Sequence, residues 1–252
     1  MNQLILFLKG MAMGGANVIP GVSGGTIAFI TGIYDELIKS LKSFDLKAIN
    51  LIFRFKFKEL AIHVNLQFLA VLMLGVLVSL VTFGKAIKFI LDSGETQERM
   101  VWAFFFGLIV ASVYYVGNQI KKWDASVVAS GLVGLALAVA LAFLKPAQES
   151  DSFVYLTLCG VVAMSSMLLP GLSGSFVLIL MGNYRLIMLE AIPDRNLKII
   201  LAVGIGAVIG FVILSRIISY LLAKHESKTI SGLTGFILGS LVIIWPWKEK
   251  VY

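Results

Sequence analysis

Ser23-Gly24-Gly25-Thr26 and Ser173-Gly174-Ser175 each set hydroxyls beside glycine just after a Pro-Gly pair, Pro20-Gly21 and Pro170-Gly171. These residue types suit the binding of an anion. Proline stops the preceding helix, glycine lets backbone N–H groups turn toward a ligand, and hydroxyls at the start of the next helix add donors. Such a helix end is partly positive, and it can meet an ionised phosphate without the desolvation penalty of a lone buried lysine. The competing reading is a pair of helix-breaking turns that let neighbouring helices pack closely, since glycine is common at membrane helix contacts. Neither stretch is a P-loop, because no Gly-Lys-Ser/Thr ending follows the glycines.

The two stretches are copies of one another, 150 positions apart. Each is followed at the same distance by a glycine and a tyrosine, Gly32 and Tyr34 in the first, Gly182 and Tyr184 in the second. Similarity at a fixed offset marks an internal duplication. It runs on through Asn65-Leu66 and Asn196-Leu197, Gly75 and Gly206, Lys85 and Arg216, Phe104 and Phe236, and Gly107 and Gly239. A polar, glycine-rich motif that occurs twice in an apolar chain favours the binding role.

Other residues compete for a place at the site. Lys85 and Arg216 are equivalent bases near helix ends, which either snorkel to headgroups or catch a phosphate. Arg185, directly after Tyr184, competes with them. Lys9 interrupts an apolar half-helix and at that depth needs a partner or water. Asn17, beside the first break, either bonds across it or serves the fold. Asp35 and Glu36 are candidates for carrying a coupling proton or sodium ion, or are solvated helix-end charges. Hydrolytic and metal chemistry find no support. His63 and His225 lie far apart, with no His-x-x-x-His, Cys-His or Gly-x-Ser-x-Gly pattern. No cofactor is expected.

The elements that must position these residues are membrane helices. Of 252 residues, 59% are hydrophobic and 14% charged, against ~25% charged in soluble domains. The net charge of +7 comes from bases in short connections, where positive-inside bias and anionic lipid account for them better than nucleic acid does. Cys159 is alone, so no intramolecular disulfide forms. The first apolar stretch has its counterpart deep inside the chain, so it reads as part of the fold rather than a cleaved leader.

Residues 4–18 with 25–38, and 153–169 with 176–189, are apolar pieces too short to span comfortably, and they read as two re-entrant hairpins. Residues 39–60 mix lysines with phenylalanines and read as an interfacial amphipathic segment. Crossings are expected over 64–84, 100–117, 125–144, 197–222 and 230–247. The expectation is therefore an all-α polytopic membrane protein of one integral domain: repeat one over 1–122, a linking transmembrane helix over 123–145 and repeat two over 146–252. Each repeat is a broken-helix hairpin followed by two transmembrane helices. With the basic segment 39–58 on the cytoplasmic side, three crossings separate the hairpins. The repeats then enter from opposite sides, as an inverted-topology pair. Inverted repeats with broken helices near the midplane point to a secondary transporter.

The paired motifs, Pro20 to Thr26 with Gly32 and Tyr34, then Pro170 to Ser175 with Gly182 and Tyr184, resemble those of the bacterial and archaeal polyprenyl-phosphate transporter (PopT) family over nearly the whole chain. The resemblance implies a flippase of the cytoplasmic membrane. It would return undecaprenyl phosphate to the cytoplasmic leaflet for reuse as a lipid carrier in cell-wall and surface-glycan synthesis. It also implies a phosphate site at Ser23, Gly24, Gly25, Thr26, Ser173, Gly174 and Ser175. The second copy carries Ser175 where the first has Gly25, which leaves the relative strength of the two cups open. The alternatives are a carrier or channel for a small anion and, less well supported, a polyprenyl pyrophosphate phosphatase. Oligomeric state has no signature in the sequence.

Overall fold

Each break ends one helix and starts a much shorter one. The computed structural model describes residues 2–17, 23–192, 194–245 and 247, without the side chains of 81, 84–89, 91, 92, 95 and 98. In the first copy α1 (Gln3–Asn17) leads to α2 (Gly24–Ile30), which bends into α3 (Tyr34–Lys42). In the second, α9 (Phe153–Leu168) leads to α10 (Gly174–Leu180), which bends into a π-helix (Arg185–Ala191). Pro20 and Gly21 lie outside the described residues. Both bends turn on a glycine at φ +72°, Gly32 and Gly182, a left-handed conformation in which a Cβ is strained.

Between the breaks run α4 (Leu46–Phe53), α5 (Phe57–His63), α6 (Leu66–Asp92), α7 (Glu95–Gly117) and α8 (Ala125–Ala142); α11 (Leu197–Lys224) and α12 (Glu226–Ser240) follow the second. Among the described residues there is no strand. Among the described residues three helices are long and apolar enough to cross a bilayer, Arg99–Gly117, Ala125–Ala142 and Leu197–Lys224. Two bent pairs raise the number to five: α5 with Leu66–Leu80, turned by 69°, and α10 with the π-helix, turned by 114°. This is an all-helical membrane protein.

Of the expected crossings, 100–117, 125–144 and 197–222 are among the candidate spans of the described residues, 64–84 is so only in the bent pair with α5, and 230–247 is not among them. The last begins earlier than 230 and is α-helical only to Ser240, after which Leu241, Val242 and Ile243 bond to carbonyls three residues back. That tightening is common in a final helical turn, and Pro246 downstream disfavours further α-helix. The interfacial segment 39–60 forms the end of α3, α4 and the start of α5, with Leu46, Phe53, Phe55 and Phe57 exposed. On α11, Leu201, Ile205, Val208, Ile209, Ile213 and Ile217 also face outward at helical spacing, the stripe that a lipid-facing helix presents.

The long helices are held to the hairpins by glycine contacts that recur in both copies. A Cβ at Gly10 would run into the Leu72 carbonyl, and one at Gly75 into that of Phe7, so α1 lies almost backbone to backbone on α6. In the second copy a Cβ at Gly160 would strike the Val203 carbonyl and one at Gly206 that of Thr157, which sets α9 on α11 in the same way. Small residues gain dispersion contact at such crossings where lipid supplies no hydrophobic drive. The linking helix α8 packs on α12, and Gly134 and Gly235 meet the backbone across that contact.

Candidate functional site

Both short helices are capped by the serine that the sequence singles out. Ser23, extended at φ −111° and ψ 130°, accepts the Gly25 amide at its Oγ (3.1 Å). Ser173, at φ −104° and ψ 138°, accepts the Phe176 amide (3.3 Å), and its hydroxyl lies 2.7 Å from that of Ser175. Serine caps well because its oxygen replaces the carbonyl that the first turn lacks. Asn17, from the end of α1, accepts the Gly24 amide at Oδ1 (2.7 Å), and the Thr26 amide bonds to the Ser23 carbonyl (3.0 Å). The first cup therefore differs from the open set of donors expected of it: its three leading amides already have acceptors within the protein.

The two breaks meet. The Ser23 hydroxyl donates to the Leu169 carbonyl (3.3 Å), the Gly171 amide donates to Thr26 Oγ1 (2.8 Å), and the Tyr34 hydroxyl donates to the Leu168 carbonyl (2.8 Å). A Cβ at Gly25 would stand 3.2 Å from the Met167 carbonyl, so this glycine lets the carbonyl end of α9 approach the amino end of α2. The helix dipoles favour that arrangement, the negative end of one facing the positive end of the other. Gly171 sits at φ +87°, and a Cβ there would lie 3.0 Å from the Ile237 Cα. Ser23 and Thr26 are 2% and 1% exposed; Gly24, Gly25, Ser173 and Gly174 are also buried, and Ser175 is half-buried. Hydroxyls and amides thus converge at a buried joint where carbonyl oxygens of α9 take the place an anionic oxygen would want.

The comparisons with known proteins bear on what such a joint serves. A family model described as undecaprenyl phosphate translocase-like matches residues 13–252. The chain belongs to this family. A relative from Vibrio cholerae serotype O1, named polyprenyl-phosphate transporter, is 40% identical over 254 residues, covering 100% of this chain and 80% of that protein. A protein of the same name from Staphylococcus aureus is 33% identical over 261 residues, covering 96% of this chain and 86% of its own. Both are named as transporters and not as enzymes. No solved structure matches the chain.

In this translocase-like chain the charged candidates whose side chains are described have their printed partners away from the joint. Lys9 donates Nζ to the Thr31 carbonyl (2.6 Å), at the opposite end of α2 from Ser23. That is the partner its depth demands, and it lies where the helix dipole is negative. Arg185 pairs with Glu190 within the π-helix (2.9 Å), exposed. Arg216 is exposed on α11 and donates to the Val212 carbonyl of its own helix (3.4 Å). The Lys85 side chain lies outside the described residues. Asp35 pairs with Lys39 on the surface. Glu36 accepts from Asn65 Nδ2 (3.1 Å) beside a pocket of about 180 Å³ that Gln3 and Gln67 also line. Among the described residues no cluster of His, Cys, Asp or Glu fits a metal ion. The role of Tyr34 was missed by sequence reasoning; its fixed place after each bend was the available signal.

Proposed function

We propose that this chain carries a polyprenyl phosphate, most simply undecaprenyl phosphate, across the cytoplasmic membrane of its bacterial or archaeal host, with the phosphate handled where the two breaks meet. The observation that carries the reading is the set of cross-break bonds: Ser23 to Leu169, Gly171 to Thr26 and Tyr34 to Leu168. A polyprenyl chain can stay in lipid while its headgroup crosses, so only the phosphate needs a polar path. Parting the joint frees the Ser23 hydroxyl, the Thr26 hydroxyl and the Gly171 amide together. A phosphate oxygen is a stronger acceptor than the peptide carbonyls that hold these donors at rest. Ser173 and Ser175 supply the matching hydroxyls on the other side, and Gly24, Gly25 and Gly174 keep the backbone near enough to touch the headgroup.

The charge pattern supports an inverted pair of repeats, so that each hairpin faces one leaflet and the shared site is exposed to them alternately. A proton or sodium ion coupled to the cycle has Asp35 and Glu36 as its candidates. Names of the relatives support the substrate class.

The test is a vesicle assay that follows labelled undecaprenyl phosphate from leaflet to leaflet, with Ser23→Ala plus Ser173→Ala as the variant. Loss of hydrogen bonds to a charged headgroup is worth about 1.5–3 kcal/mol each, so the variant is expected to slow transport by about tenfold or more. Undiminished transport removes the site assignment. Uptake of inorganic phosphate by vesicles free of polyprenyl lipid would instead favour a small-anion carrier.

A further inference from the structure

The bends that follow the two breaks are built alike and held differently. In the first, the amides of Thr31, Gly32 and Ile33 bond to the carbonyls of Ile27, Phe29 and Ala28; in the second, those of Met181, Gly182 and Asn183 bond to Val177, Ile179 and Leu178. Position by position the pattern is the same. The helix before each break also reaches the carbonyl just past its short helix. Lys9 Nζ donates to the Thr31 carbonyl in the first copy (2.6 Å), and the Tyr155 hydroxyl donates to the Met181 carbonyl in the second (2.9 Å).

The second bend has a further clasp. The Ala147 amide donates to the Leu180 carbonyl (2.8 Å). Asn183 donates Nδ2 to the Ser150 carbonyl (2.7 Å) while its Oδ1 accepts the Ser150 amide (3.0 Å). Asn183 is 0% exposed, so opening this pair leaves its carboxamide without partners in a buried place, while Ser150 is half-buried. A Cβ at Gly182 would collide with the Ala147 carbonyl, so the strap lies directly on the bend. In the first copy Ile33 stands where Asn183 would be, and a Cβ at Gly32 would meet nothing within 4 Å among the described residues.

We infer that the hairpins are mechanically unequal: Asn183 is a positioning residue that fixes the second bend as the stationary part, while α2 with α3 moves and Lys9 sets its resting place. This rests on the transport reading above. A fixed second hairpin keeps Leu168, Leu169 and Gly171 as a constant counterface, and the joint opens when Ser23, Thr26 and Tyr34 withdraw from it. The two latches suit these roles. A lysine on its flexible four-carbon stem can follow a moving carbonyl, whereas the rigid phenol of Tyr155 cannot. α3 is tied to the start of α6 by Asn65 Nδ2, which donates to Ser40 Oγ (3.2 Å) and to Glu36, and it packs on α11 as well.

Hydrogen exchange on the full chain in lipid nanodiscs, with no substrate present, reads the difference directly. The amides are bonded alike and Ile33 is as buried as Asn183, so with the clasp as the deciding difference exchange at 31–33 is expected to be about tenfold faster than at 181–183. Asn183→Leu should bring the second bend up to the rate of the first; equal rates in the unchanged protein overturn the inference. Transport gives an independent readout with disulfide bridges. Bridging Ser150→Cys to Asn183→Cys should leave leaflet-to-leaflet movement of undecaprenyl phosphate within about twofold, while bridging Ser40→Cys to Asn65→Cys should slow it about tenfold until a reductant is added. Arrest by the first bridge, or indifference to the second, overturns the assignment. Failure of the unbridged parent to move the lipid would count against the transport reading, and the exchange comparison would still decide which bend is fixed.

Discussion

Thr26 concentrates the residue-scale argument, because its hydroxyl serves as acceptor for a backbone amide 145 positions away, that of Gly171. Replacing it with valine keeps the shape and removes the acceptor, leaving a buried N–H unpaired at a cost of about 1–3 kcal/mol. The expected outcome is a lower melting temperature in detergent, with Thr26→Ser near the parent; an unchanged melting point for valine would mean that Gly171 finds another acceptor. The serines were legible as hydroxyls that open a helix, and the sequence offers them as donors to an anion; that each also caps its helix by accepting an amide appears only in the structure. The sequence did not reveal that Asn17 and Ser23 satisfy the first amides from within. That depends on how α1 returns toward α2, and five residues of pattern do not specify it. Lys9 was legible as a residue in need of a partner, but the partner itself was not.

At the scale of elements, glycine spacing decides which helices touch. Gly75 and Gly206 align in the duplicated sequence, and each meets a backbone carbonyl of the helix before its own break, Phe7 in one copy and Thr157 in the other. Their neighbours provide a control on the same helix. Among the described residues a Cβ at Gly204 meets nothing within 4 Å, whereas one at Gly206 strikes the backbone. Gly206→Ala is therefore expected to lower the thermal stability of the purified protein, and Gly204→Ala to leave it level or raise it slightly through helix propensity, about 1 kcal/mol at most. The reverse order would show that α9 and α11 are not set by this contact. Outside the candidate spans, Asp45 caps α4: its carboxylate accepts the Ala48 amide (3.0 Å) and lies 3.1 Å from His63 Nε2. Those bonds, the amide first, hold its pKa below the ordinary carboxylate value. The stabilisation is thus present above the unfolded pKa of about 3.9 and is lost as pH falls through the lower folded value. Melting curves should show a smaller acid-side drop for Asp45→Asn than for the parent. Element boundaries were the least legible part. The π-helix has no sequence signature, and α12 tightens at Ser240 although apolar residues continue beyond it.

For the whole molecule, duplication is the level at which sequence and structure agree most closely. The offset that aligns Pro20 with Pro170 also aligns two left-handed glycines, two serine caps and Gly10 with Gly160, while their partners Gly75 and Gly206 correspond at a shorter offset. The linking helix breaks the symmetry. Gly239, the counterpart of Gly107, packs on α8 at Ala138 and Leu135, while a Cβ at Gly107 would meet nothing within 4 Å among the described residues, and no repeat-based reading distinguishes the two. The strap over the second bend is another departure from symmetry, and both were illegible because a duplicated pattern predicts likeness and not difference. The central claim is that the breaks must part for a phosphate to pass. It is tested by bridging them: in a chain carrying Ser23→Cys and Leu169→Cys, labelled undecaprenyl phosphate is followed between vesicle leaflets before oxidation, after it, and after reduction. Movement is expected to stop with the bridge closed and to return on reduction to this variant's own rate before oxidation; movement at that same rate through a closed joint would contradict the proposal.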